Sequence, residues 1–265
     1  MSPQIPRRLD WADWPARDLR IDPLRTIAIL PTAAVEQHGP HLPLGVDTMI
    51  AEGMLATLRA ACPEDLDIRI LPVQAVGKSN EHLWAAGTLS LGAETALRAW
   101  VEIGLSVAQA GVRKIVLINS HGGNLDLVSI VSRELRVRAG MLAVKAQWVS
   151  FGAPEGMYSA QEDRFGIHGG DMETSLMLHF RPELVDMAQA RDFPSAAEGA
   201  PIPPTGPLSL GWIASDLNPD GVVGNAAAAT AAKGQATAAH QVAGMIALLR
   251  SLRDLALDGR EPLPG

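Results

Sequence analysis

Apolar and polar positions along the chain alternate between two periods. "RTIAILPT" (25–32) is a short, nearly continuous apolar run and predicts a strand, whereas "DTMIAEGMLATLRAAC" (47–62) carries apolar residues at helical spacing. "LDIRILPVQAV" (66–76) returns to a strand, and "GAETALRAWVEIGLSVAQAG" (92–111) predicts an amphipathic helix ended by Gly111. "RKIVLINS" (113–120) has the unbroken apolar character of a strand buried on both faces. "NLDLVSIVSRELRVRAG" (124–140) then predicts a helix with Asn124 as its N-cap, and "MLAVKAQWVS" (141–150) a further strand. Such alternation predicts an α/β fold, a largely parallel sheet flanked by helices on both faces. "DMETSLMLHF" (171–180) begins another amphipathic helix, and an Ala-rich stretch over 226–257 predicts a long closing one. Between them the Pro- and Gly-dense segment 192–221 reads as a long surface loop, with residues 190–220 expected to close over a site or over a neighbouring subunit. With no internal repeat and no clean linker, the expectation is one domain spanning 1–265.

Composition narrows the class. Of 265 residues 47% are hydrophobic and 19% charged, which supports a substantial core and argues against disorder. The formal net charge is −7 and aromatic residues make up 4%, so neither nucleic acid nor an anionic membrane surface is the expected partner. The N-terminal stretch has no apolar core of signal-peptide type and no segment approaches the length of a spanning helix; a cytoplasmic protein is the expectation. The single cysteine, Cys62, excludes an intramolecular disulfide and reads as an inert buried thiol.

Chemistry-bearing residues concentrate in three places. In "VEQHGPHLPLGVDT" (35–48), Glu36 and His38 point to the same side of extended backbone, and Asp47 stands at the start of a helix. Carboxylate and imidazole are the donors that zinc, manganese and iron accept, and the surrounding Gly and Pro residues fix the backbone that presents them. "NSHGGN" (119–124) follows a strand, so His121 falls at the carboxyl edge where open α/β sheets bind ligands. Gly122 and Gly123 permit close backbone approach, either to hold an oxyanion through free amides or to cradle a phosphate. In "HGGDMETS" (168–175), His168 precedes a helix and Glu173 lies in its first turn, a ligand-type pair or simply a satisfied histidine and a helix-dipole acid.

Counting separates one metal from two. Glu36, His38, Asp47, His121 and Glu173 offer five donors, one more than a four-coordinate ion takes. Two divalent ions (Zn, Mn or Fe) bridged by Asp47 accommodate them, and such a pair lowers the pKa of water from about 15.7 towards about 7. His168, left over, is then placed to shuttle a proton.

"EQHGPHLPLGVDT", "GTLSL", "NSHGGN" and "HGGDMETS", in that order, resemble the creatininase (creatinine amidohydrolase) family from about Thr26 to about Gly234. The resemblance implies a single α/β domain, a dinuclear metal site, a homohexamer and hydrolysis of amide-type C–N bonds in small molecules by a hydroxide held between the metals. It carries Glu36, His38, Asp47 and His121 over as metal ligands and His168 as the histidine that exchanges protons with the leaving nitrogen. Glu173 takes the place of a family ligand missing at Gly122-Gly123, as second-metal ligand or aid to proton transfer. Ser79 matches a substrate-contacting serine, or is a plain turn serine. Arg164 stands where creatininase proper has other residues, as a partner for a substrate carboxylate or phosphate or as a surface arginine. "WAAGTLSL", with Trp84, replaces a more usual F-P-G-T-L-S-L. These departures argue against creatinine as substrate and leave formamide deformylase, lactone hydrolase, peptide-processing enzyme and non-catalytic binding protein as alternatives.

Overall fold

The computed structural model describes residues 7–259 and 261–263; residues 1–6, part of the stretch read above for a signal-peptide core, lie outside them. Its centre is a four-stranded sheet of β1 (Ile27–Thr32), β2 (Ile68–Ile70), β3 (Lys114–Asn119) and β4 (Leu142–Gln147). The order is β2-β1-β3-β4 and every neighbouring pair is parallel, with Ile29 opposite Val116 and Val116 opposite Val144. Parallel neighbours need crossovers, and helices supply them.

Those helices are α1 (Val46–Ala61), α2 (Ala93–Gln109), α3 (Leu125–Ala139), α4 (Ala160–Phe165), α5 (Asp171–Phe180), α6 (Ala214–Leu217) and α7 (Ala231–Asp254). Alternate residues of a strand face opposite sides, and the two cores follow that rule. Ile27, Ile29, Val116 and Ile118 pack with Met54 and Leu58 of α1, Leu176 and Met177 of α5, and Val242, Met245 and Leu249 of α7. Ala28, Leu30, Ile115 and Leu117 pack on the other face with Trp100 of α2 and Val128, Val131 and Leu135 of α3. The expected sheet with helices on both faces is therefore the observed one, and no helix among the described residues is long and apolar enough to cross a membrane.

Several local expectations change. The strand read over 66–76 shrinks to three residues, after which the chain makes only an isolated bridge from Thr32 to Gln74. Asn124 stands at the N-cap position of α3 as expected, but its side chain makes no cap bond and its backbone is already helical. The carboxamide donates instead to the Ala33 carbonyl at 3.0 Å and accepts from the Lys78 amide at 3.0 Å, tying together the chain beyond two strands. α7 starts later than its alanines suggest, because Thr230 caps it by accepting from Lys233 N at 3.2 Å. Cys62 lies just past α1, half-buried, and burial pushes its thiol pKa up. Segment 192–221 contributes β5 (Asp192–Phe193), paired antiparallel with β6 (Gly224–Asn225), and the single turn of α6. It leaves Leu208 and Leu210 exposed.

α5 and α7 meet closely at Gly234, where an added Cβ would stand 1.9 Å from the Ser175 carbonyl oxygen. Gly234→Ala must push the helices apart and should destabilise the fold by about 1–3 kcal/mol. Gly92→Ala, which meets nothing within 4 Å, should leave stability nearly unchanged. Thermal denaturation of the two variants checks the pair.

Candidate metal centre

The carboxyl ends of the parallel strands and the starts of two helices converge on one point. Past β1 the chain extends through Glu36, Gln37 and His38, and past β3 it turns at His121. Asp47 lies in the first turn of α1 and Glu173 in the first turn of α5, where aligned peptide dipoles favour carboxylates. Glu36, His38, Asp47 and His121 are buried, whereas a quarter of the Glu173 side chain remains accessible.

The donor atoms sit close together. His121 Nδ1 lies 3.2 Å from Glu36 Oε1 and 3.3 Å from Asp47 Oδ2. On the other side of Asp47, His38 Nε2 lies 3.7 Å from Asp47 Oδ1 and 3.8 Å from Glu173 Oε2. Two groups able to hold an ion result, Glu36–Asp47–His121 and His38–Asp47–Glu173, with Asp47 common to both. A third, Glu36–His38–His168, overlaps them. The fit to a cation also shows in the hydrogen bonds: Glu36 Oε1, His38 Nε2 and Asp47 Oδ2 are buried and find no hydrogen-bond partner among the described residues. Buried polar atoms seldom go unsatisfied, and these three are all donors of the kind a divalent metal accepts.

The imidazole tautomers suit the same use. His38 Nδ1–H donates to the Glu36 carbonyl at 3.1 Å, leaving the Nε2 lone pair towards Asp47 and Glu173. His121 Nε2–H donates to the Lys78 carbonyl at 3.0 Å, leaving Nδ1 towards Glu36 and Asp47. His168 Nε2–H donates to the Gln37 carbonyl at 2.8 Å, leaving Nδ1 3.6 Å from Glu36 Oε1. The His38 and His168 rings lie with centroids 4.1 Å apart.

Protonation reflects the crowding of charge. Burial, and then the neighbouring Glu36 charge, pushes Asp47 up to about 7. Burial likewise raises Glu173 to about 7, against the Gly169 amide, which donates to its carboxylate at 2.5 Å. Burial also acts on Glu36, but the surrounding imidazoles, His121 first, outweigh it and hold Glu36 well below the usual carboxylate range. His38 is kept neutral by burial. His121 is opposed by burial yet raised well above the usual imidazole value by Glu36, Asp47 and Glu81. Its proton supplies the positive charge that a metal would otherwise bring.

The remaining expected residues fall differently. Ser79 is fully buried and gives its hydroxyl proton to Glu36 Oε2, so it orients a ligand-type carboxylate rather than facing a substrate. Gly122 is exposed, and the open side of Gly123 faces His121 Nε2 and Glu81 rather than the carboxylates. Arg164 is not brought to the cluster: it lies on the exposed face of α4 with its guanidinium over the Phe165 ring, because the buried face of that helix belongs to Glu162. Glu162 accepts the amides of Asp171 and Asn225 and so fastens the loop that carries His168. His41 is another fastening: its Nε2 lies 3.1 Å from the Gly169 carbonyl and 3.0 Å from Thr174 Oγ1.

Three residues of the centre were not anticipated. Gln37 gives one amide proton to the Gly221 carbonyl and another to His82 Nδ1, each at 2.8 Å. His82, buried, then directs Nε2–H towards Glu36 Oε1 at 3.6 Å and lies against His168 with ring centroids 4.3 Å apart. Glu81 packs beside His121 and Lys78, whose combined pull overcomes burial and brings it down to about 2. Gln37 stands between two ligand residues, and an adjacent acid and imidazole follow Ser79 in "KSNEH"; those were the available signals.

Fold and cluster together define an α/β protein with a buried carboxylate–imidazole centre at the carboxyl edge of its sheet. A family model described as Creatininase, creatinine amidohydrolase, matches residues 9–249, and the chain belongs to that family. It is at that level a hydrolase. A mycofactocin precursor peptide peptidase of Mycobacterium tuberculosis is 35% identical over 214 residues, covering 78% of each chain. A creatinine amidohydrolase of Pseudomonas putida is 29% identical over 203 residues, 71% of this chain and 76% of that one. A solved structure described as "Creatininase Mn" superposes with a TM-score of 0.72 at 21% identity, covering 94% of this chain and all of the other.

The raised carboxylates set a pH dependence. An acid with a raised folded pKa stabilises the protein below its ordinary value, and that contribution is lost as pH rises through the folded value. For Asp47 and Glu173 the loss runs from about 4 to about 7 in metal-free protein. A divalent ion competes with those protons and with the His121 proton. The rise in Tm produced by added zinc or manganese over chelator-treated protein should therefore grow between about pH 5 and about pH 8. Paired thermal scans check it; a pH-independent increment would contradict proton–metal competition.

Proposed function

We propose that the chain is a dinuclear-metal-dependent hydrolase of an amide-type C–N bond. The observation that carries this is the sharing of Asp47 between two groups of donors, with buried, unpartnered oxygens and nitrogen directed into them. Glu36, Asp47 and His121 would hold one ion and His38, Asp47 and Glu173 the other. Such ions, when bound, supply activation of water and polarisation of a carbonyl.

The chain's own residues do the rest. His168 presents the Nδ1 lone pair on the Glu36 side, fixed there because its Nε2 proton is committed to the Gln37 carbonyl. A group so placed takes a proton from water as it attacks and returns it to the departing nitrogen. Without that return the nitrogen would leave as an anion. Ser79 holds the Glu36 carboxylate through Oε2, which keeps a flexible side chain in one orientation and leaves Oε1 without a hydrogen bond among the described residues. Gly169 N anchors Glu173 in the same way.

A second reading concerns substrate size. Leu44, Leu83, Trp84 and Leu89 are exposed, at 39%, 56%, 44% and 53%. All adjoin the centre: Glu36 N donates to the Leu44 carbonyl, Leu89 N to the Val35 carbonyl, and Leu83 and Trp84 follow His82. Exposed apolar side chains on the segments that carry the centre suit a peptide substrate better than a small polar ring, in keeping with the 35% identity to a mycofactocin precursor peptide peptidase.

Elemental analysis of chelator-free protein should find about two divalent ions per chain, as a bridged pair requires. Asp47→Ala should lose both. His168→Ala should keep both and lose about 10²–10⁴-fold in turnover; metal loss in this variant would make His168 a ligand and the role assignment wrong. Turnover is to be measured on a panel of cyclic amides, formamides, lactones and short peptides. Cleavage of peptides alone would establish the second reading, and turnover of no C–N bond by metal-loaded protein would refute the proposal.

A further inference from the structure

His121 is held from two sides. Its Nδ1 faces Glu36 and Asp47, while its Nε2 lies 3.0 Å from the Lys78 carbonyl and 3.5 Å from Glu81 Oε1. The Glu81 carboxylate is buried and fixed through its other oxygen to Lys78 Nζ at 2.7 Å. It also occupies the space into which any side chain at position 123 would grow. A Cβ on Gly123 would stand 2.0 Å from Glu81 Oε1 and 2.5 Å from His121 Nε2, contacts that no carbon makes. Gly123 is not among the glycines with positive φ, so the requirement for glycine here is one of room and not of backbone conformation.

We infer that Glu81 is a positioning residue for the His121 arm of the centre, and that the missing side chain of Gly123 is what admits it. The inference rests on the dinuclear reading proposed above. A carboxylate beside the outer N–H of a ligand imidazole fixes its tautomer and ring orientation and strengthens the nitrogen that binds metal. Glu81 is suited to that task and not to being a ligand itself, because it lies on the Nε2 side of the ring, opposite the Nδ1 that meets Glu36 and Asp47. Among the described residues, none of the groups able to hold an ion includes it. Lys78 acts twice, since its carbonyl takes the Nε2 proton and its ammonium holds the carboxylate alongside.

The consequence is selective. Among the described residues, only the Glu36–Asp47–His121 group contains His121, whereas His38–Asp47–Glu173 does not. A disturbance at Glu81 should therefore weaken one ion and spare the other, which general damage to the fold would not do.

The test is a competition titration of chelator-stripped full-length protein with zinc against a chromophoric chelator. Wild type should show two binding steps. Glu81→Gln keeps the shape and removes the charge; it should weaken one step about 10–100-fold and leave the other unchanged. Gly123→Ala would drive its methyl against Glu81, His121 Nε2 and the Lys78 carbonyl together, and should weaken that same step at least as much as Glu81→Gln does. Circular dichroism of both variants checks that the fold is kept. Two unchanged steps in Glu81→Gln, or equal weakening of both steps in the two variants, would overturn the inference. Absence of two zinc-binding steps in wild type would instead overturn the dinuclear reading on which it stands, so the two failures are separable.

Discussion

Three carboxylates and two imidazoles share a space that water reaches mainly along Glu173. Glu36 is 0% exposed and Asp47 2%, and His121 touches both. Burying an ion costs several kcal/mol even after the protein relaxes around it, and two like charges a few ångströms apart cost more. The metal-free chain answers with protons, retaining them on Asp47 and Glu173 up to about 7 and adding one to His121. A divalent cation held by those oxygens and nitrogens would offset the same charge in place of the protons. The architecture around the cluster is arranged to keep these groups together despite their repulsion.

The sheet does this with little material. Strands β1 and β3 are adjacent and in register from Ile27–Lys114 to Thr32–Asn119, so the chain leaving each emerges at the same edge. Helices α1 and α5 then begin at that edge with Asp47 and Glu173 in their first turns. Side chains that do not touch the cluster fix these arrivals. Asn124 ties the chain beyond β1 to the turn before Ser79. Glu162 and His41 fasten the loop before α5. Gln37, flanked by Glu36 and His38, spends its own side chain on Gly221 and His82 and its carbonyl on His168. Backbone and side chain of one residue thereby set the orientation of two imidazoles.

The sequence discloses this unevenly, and the reason is physical. Periodicity reports burial on one face, so β1, β3 and α5 could be read nearly to the residue, and the alternation implied the layers. Strand β2 could not be sized, because the apolar run after Ile70 continues as loop past a proline, Pro72, and alignment with β1 is a tertiary matter. The five ligand-type residues stood out since Gly and Pro punctuate the segments that present them. The side-chain partners of Asn124 and Ser79 could not be read from position: an asparagine before a helix usually caps it with its side chain, and a serine in a turn usually meets solvent. Each had a buried partner more than 40 residues away, Ala33 and Glu36, that no local pattern announces. Gln37, Glu81 and His82 escaped for the same reason. Their roles lie in contacts to residues far along the chain.

Exposure within the centre also gives it a direction. Glu36, His38, Asp47 and His121 are closed off by the strand-end loops, whereas Glu173 keeps a quarter of its side chain accessible at the start of α5. A molecule approaching from solvent meets Glu173 before it meets the others. His168 stands three residues before the start of that helix, with its Nδ1 turned inward to Glu36. His168 is itself buried, so its ring lies with Glu36 in the closed part of the cluster, and Glu173 alone of these side chains keeps a sizeable open surface. The charge that holds the cluster together thus stays in the interior, where low dielectric makes each contact count for more.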